Sequence, residues 1–150
     1  MKIHIPIISF GRSGGFRVLS QLANYWLNAE HEVIFICLSQ NGLISKPYYP
    51  TNASIVYINN RGNSIKEPKG VESFNFDQRS PGLRRIKQLN ALRKAINKLT
   101  NKNDVILATY SLIAFSVRWS KPSKNKYYYI QAYEPEYFDK SLKGLIASQL

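Results

Sequence analysis

Hydrophobic and polar positions divide the chain into short apolar runs and longer stripes. Lys2–Ser9 is apolar and β-branched on both faces, the pattern of a buried parallel strand, with Pro6 removing one ladder donor. A glycine-rich turn, Phe10–Gly15, follows. From Phe16 to Glu30 the apolar positions Val18, Leu19, Leu22, Ala23 and Trp26 repeat with helical period. Glu32–Leu38 is a second buried strand and Ala53–Asn59 a third. Gln40–Asn52 reads as a connection. Asn60–Pro81 is polar and shows no period, so it is expected to be a long mobile loop. Gly82–Leu99 predicts a helix with Leu83, Ile86, Leu89, Leu92, Ile96 and Leu99 inward. Asp104–Ala108 predicts a strand, Thr109–Ser120 a helix, Lys126–Gln131 a fifth strand and Glu136–Leu150 a further helix.

Strand, glycine turn, helix and strand within the first 38 residues form a βαβ unit, which crosses over right-handed. The whole order predicts an α/β fold: a Rossmann-like, doubly wound, mostly parallel sheet with helices on both faces. In such sheets ligands bind beyond the carboxyl ends of the strands. That expectation brings Gly11–Gly15, Thr109–Tyr110 and Gln131–Phe138 to one crevice.

Composition sharpens this picture in two places. The 150 residues are 44% hydrophobic, enough for one packed domain and too many for a disordered chain. The net charge is +12, and twelve basic residues with the single acid Asp104 lie between Arg79 and Lys126. Attraction to an anionic partner is therefore a property of one region, unless these side chains only solvate a helix face. Cys37 is the sole cysteine, which excludes an internal disulfide or a cysteine-based zinc site. His4 and His31 have no acid or cysteine at ligand spacing, so no metal is expected. No run is long enough to span a bilayer and no signal-peptide cleavage site follows the N-terminal apolar stretch, so a cytoplasmic location is expected.

Two segments carry candidate chemistry. Gly11-Arg12-Ser13-Gly14-Gly15 opens a helix, where backbone N–H groups favour an anion; it is neither G-x-G-x-x-G nor a Walker loop. A tight strand-to-helix turn would use the same residues. Gln131-Ala132-Tyr133-Glu134-Pro135-Glu136-Tyr137-Phe138 sets two carboxylates among three aromatic rings. Carboxylates accept from hydroxyls and rings cover the apolar faces of sugars. A helix cap with packed aromatics would use them too.

Several stretches together resemble the N-terminal half of GT-B glycosyltransferases of the family 4 type. They are Met1-Lys2-Ile3 to Ile8, Gly14-Gly15-Phe16-Arg17-Val18-Leu19, Leu22-Ala23-Asn24, His31-Glu32-Val33 and Ile106-Leu107-Ala108-Thr109. Tyr129-Ile130-Gln131-Ala132-Tyr133-Glu134-Pro135 is similar to a segment of a rhamnosyltransferase-like subset that builds bacterial surface polysaccharides. Glu30 stands where that family usually has glycine, and Ala132 where it often has an acid. The E-x7-E pair of the family's second half is missing, so the chain is expected to be one Rossmann-like domain, the acceptor-side half, without the donor-binding domain.

The resemblance implies retaining transfer of a sugar from a nucleotide-diphosphate sugar to a glycan or lipid-linked acceptor, with no cofactor or metal required. By position, Gly14 and Gly15 would approach the donor phosphates or sugar, and Thr109, Tyr110, Gln131, Tyr133 and Glu134 would line the acceptor side. No residue is assigned to catalysis. Arg84, Arg85, Lys87, Arg93 and Lys94 would face an anionic membrane, making the protein peripheral on its inner face. The alternative is a stand-alone basic module that binds a nucleotide or nucleic acid without chemistry; nucleic acid ranks below a sugar nucleotide, because it leaves the Gln131–Pro135 cluster unexplained.

Overall fold

The computed structural model describes residues 1–71 and 82–130. The elements are β1 (Lys2–Ile7), α1 (Gly14–Asn28), β2 (Glu32–Leu38), β3 (Leu43–Ile44), β4 (Ser54–Ile58), β5 (Gly70–Val71), α2 (Gly82–Leu99), β6 (Val105–Ala108), α3 (Ser111–Arg118) and β7 (Asn125–Tyr128). Five strands form one parallel sheet in the order β4-β2-β1-β6-β7. This is the doubly wound, Rossmann-like arrangement, with its topological switch between β1 and β6.

Side-chain alternation divides the core in two. On one face Ile3, Ile5 and Ile7 of β1 and Val33, Phe35 and Cys37 of β2 pack against Leu19 and Ala23 of α1. On the other, Ile36, Leu38, Ile58, Ile106 and Ala108 pack against Ala91, Leu92, Ala95 and Ile96 of α2 and Ile113 and Val117 of α3. Each fully buried Phe, Leu or Ile stabilises the fold by about 2 kcal/mol relative to exposure. Pro6 is accommodated within β1 opposite Ile36.

Three sequence expectations change. The inward stripe of α2 is Gln88, Ala91, Leu92, Ala95 and Ile96, whereas Leu83 and Ile86 are 76% and 63% exposed. Ala91 and Ala95 join Leu92 and Ile96 on the buried face because the chain at Gly62 comes very close: a Cβ there would stand 2.7 Å from the Ala91 carbonyl oxygen. In α1 the buried positions are Leu19, Ser20 and Ala23, and Val18 is exposed.

The third change concerns the long loop, whose described part is tied down. Asn59 Oδ1 accepts from the Arg61 and Asn63 amides, Ser64 bridges to Ile58, and β5 pairs in parallel with β3. Aperiodic sequence there reflects turns held by side-chain amides rather than freedom. The predicted helix Glu136–Leu150 lies outside the described residues. Among those described, no helix is long and apolar enough to cross a membrane.

Candidate functional site

Because all five strands run parallel, the turns after β1 and β6 emerge at the same edge, on either side of the switch point. The first, Phe10–Ser13, leads into α1; the second, Thr109–Tyr110, leads into α3. Tyr129 donates its amide to the Ala108 carbonyl (2.8 Å), so the chain leaving β7 starts from this edge too. The structure thus brings Gly14, Gly15, Thr109 and Tyr110 together at one rim. Gln131, Tyr133 and Glu134 lie outside the described residues.

The two flanking glycines of the turn have different causes. A Cβ on Gly11 would lie 2.7 Å from the Phe16 ring, so packing demands glycine there. A Cβ on Gly14 would meet nothing within 4 Å, so packing does not. Ser13 takes the N-cap position in extended conformation but makes no side-chain cap, and its carbonyl accepts from the Phe16 and Arg17 amides. As the first two residues of the helix, Gly14 and Gly15 have no intrahelical acceptor for their amides, and the first turn carries no acid.

The turn is held from behind by the 45–49 segment. Ser45 Oγ accepts from the Phe10 amide (3.0 Å), and the Tyr49 hydroxyl donates to the Arg12 carbonyl (2.8 Å). The Arg12 guanidinium lies over the Tyr48 ring, 5.0 Å from its centre. Tyr57 donates to the Ser45 carbonyl, and the Cys37 thiol sits 3.5 Å from Ser45 Oγ. Burial pushes both Cys37 and Tyr57 up to about 12, so neither titrates near neutrality. These tyrosines escaped sequence reading because nothing in Lys46-Pro47-Tyr48-Tyr49-Pro50 ties it to a turn more than thirty residues earlier.

The third part of Leu22-Ala23-Asn24 has a structural role. Asn24 Oδ1 accepts from the Asn52 amide (2.8 Å) and its Nδ2 donates to the Pro50 carbonyl (3.2 Å), clasping the chain before β4.

The basic residues of α2 do not form one uniform face. Arg84, Lys87 and Lys94 are exposed; Arg85 and Arg93 are half-buried. Arg93 donates to Asn90 Oδ1 through Nη2 (2.9 Å) within its own helix. Arg84 donates from Nη2 to Gln40 Oε1, across to the end of β2. The first turns of α2 alternate cations with exposed Leu83 and Ile86.

Lys126, read from sequence as part of the regional charge, caps α3: its ammonium donates to the Arg118 and Ser120 carbonyls, and burial lowers its pKa. Among the described residues no three His, Cys, Asp or Glu side chains stand close enough to hold a metal ion. Comparison with protein-family models, with curated protein sequences and with solved structures returns no significant match.

Proposed function

We propose that this chain is the acceptor-side half of a retaining glycosyltransferase, moving a sugar from a nucleotide-diphosphate sugar to a glycan or lipid-linked acceptor. One observation carries the reading: the amides at Gly14 and Gly15, which have no intrahelical acceptor, stand at the switch-point rim beside Thr109 and Tyr110, and packing asks for no glycine at position 14. Such amides suit a diphosphate or a sugar hydroxyl. Gln131, Tyr133 and Glu134 enter this reading from their place after β7. The exposed Leu83 and Ile86 between Arg84, Arg85 and Lys87 suit docking on an anionic bilayer, where a lipid-linked acceptor resides.

Backbone-amide NMR of the chain during titration with nucleotide-diphosphate sugars tests the reading. Saturable shifts at Gly14, Gly15 and Thr109, without sugar turnover by this half alone, are expected. Shifts confined to other surfaces would overturn it. Binding to single-stranded oligonucleotides that weakens steeply with salt, and leaves Gly14 unmoved, would instead support a basic binding module, for which the +12 charge is the argument.

A further inference from the structure

We propose that a polar hollow at the carboxyl ends of β2 and β4, separate from the switch-point rim, is a phosphate-binding site. It has a volume of about 320 Å³ and its lining includes Gln40, Asn41, Asn60, Arg84, Lys87 and Gln88; no carboxylate is among the described residues that line it.

Three rigid pieces build it. The first is the reversal Gln40–Leu43, where the Gln40 and Leu43 backbones exchange two hydrogen bonds across Asn41-Gly42. Both central residues have positive φ, 54° and 86°, the signature of a type I′ turn. The second is the Asn59–Asn63 turn, closed by Asn59 Oδ1 and fixed on α2 through Gly62. The third is α2 itself, which supplies the two cations and Gln88.

Gln88, 6% exposed, lines the hollow beside the two cations, so its side-chain amide can meet a ligand there. Arg84 is pre-oriented by Gln40, which leaves its other guanidinium nitrogens to face a ligand, and exposed Lys87 stands beside it on the same helix. Guanidinium, ammonium and amide N–H groups converging on one hollow match the oxygens of a phosphate ester. The Gln88 carbonyl oxygen suits a neighbouring hydroxyl, so the class is a phosphorylated polyol or sugar. The site stands whether or not the sugar-transfer reading does.

The phosphate has two possible sources, a soluble sugar phosphate or a lipid headgroup. The test is an NMR titration of the 150-residue chain with glucose 1-phosphate at constant ionic strength, glucose serving as the uncharged control. Saturable shifts are expected at the Gln40, Asn41 and Asn60 amides and the Gln88 side chain. Lys87→Ala, at an exposed position, and Gln88→Met are each expected to weaken binding at least tenfold, while Lys102→Ala changes nothing. A parallel arm measures sedimentation with phosphatidylcholine vesicles with and without phosphatidic acid. If glucose 1-phosphate releases the chain from phosphatidic-acid vesicles, and Lys87→Ala weakens that attachment, the site accepts a headgroup. If the sugar phosphate binds without competing, the ligand is soluble. Non-saturating shifts spread over the lysines, or affinity unchanged in Lys87→Ala, would overturn the proposal.

Discussion

The imidazole of His4 donates from Nε2 to Asp104 Oδ2 at 3.0 Å, joining the middle of β1 to the residue just before β6. Asp104 Oδ2 also accepts from the Asn101 amide, and the Asp104 carbonyl accepts from Ser123 Oγ. The pair sits toward the amino ends of the strands, away from the rim where α1 and α3 begin, so it fastens the sheet rather than serving a ligand.

Burial holds the His4 pKa below its ordinary value, outweighing the opposing pull of Asp104. Protonation would place a second N–H at Nδ1, which has no partner among the described residues. A depressed pKa means that the unfolded chain takes up the proton first. Stability is therefore full above about pH 6.5 and is lost as the pH falls. Unfolding free energy is expected to be lower at pH 5.5 than at pH 7.5. His4→Gln, which can still donate to Asp104, should flatten that difference in urea melts.

Glu30 has a φ of 61°, the left-handed conformation that ends α1. Its amide donates to the Leu27 carbonyl and the His31 amide to the Trp26 carbonyl, the paired bonds of a Schellman cap. A side chain in that conformation costs about 1 kcal/mol, which glycine avoids. Glu30→Gly is expected to stabilise the chain by about 0.5–1 kcal/mol, and Glu30→Ala to leave it unchanged, in denaturant titrations.

Gly62 is the reverse case. It has a φ of 76° and a Cβ would meet the Ala91 carbonyl at 2.7 Å and Lys94 Cβ at 2.8 Å. Gly62→Ala is expected to cost about 2 kcal/mol and to lower Tm by about 6 °C in a calorimetric scan.

Gly11 and Gly14 separate packing from binding. Gly11→Ala must displace the Phe16 ring and is expected to destabilise by about 1 kcal/mol. Gly14→Ala should change stability by less than about 0.5 kcal/mol, because its Cβ would point into open space. If Gly14 approaches a ligand, the same substitution should weaken binding of a nucleotide-diphosphate sugar in isothermal titration. Unchanged binding would remove Gly14 from the site.

The parallel strands were legible because their apolar runs are short, β-branched and separated by turns; β2 and α2 have the predicted bounds. What stayed hidden involves partners distant in the chain. His4 and Asp104 are a hundred residues apart, and no local pattern joins them. The expected inward stripe of α2 holds at Leu92 and Ile96 and fails at Leu83 and Ile86, which outweigh Ala91 and Ala95 in hydrophobicity, whereas the close chain at Gly62 rewards small residues. The hollow escaped notice because glutamine and asparagine are common surface residues and only Gln88's burial sets it apart. Of the expected rim, Gly14, Gly15, Thr109 and Tyr110 meet at one edge, as the alternation of strands and helices implied.

The tyrosines behind the glycine turn have a mechanical consequence. With the Arg12 carbonyl held by Tyr49 and its guanidinium resting on Tyr48, the start of α1 is joined to the Pro47–Pro50 bend at two points. Under the proposed reading, a ligand at the helix start would feel substitutions in a surface bend that it never touches.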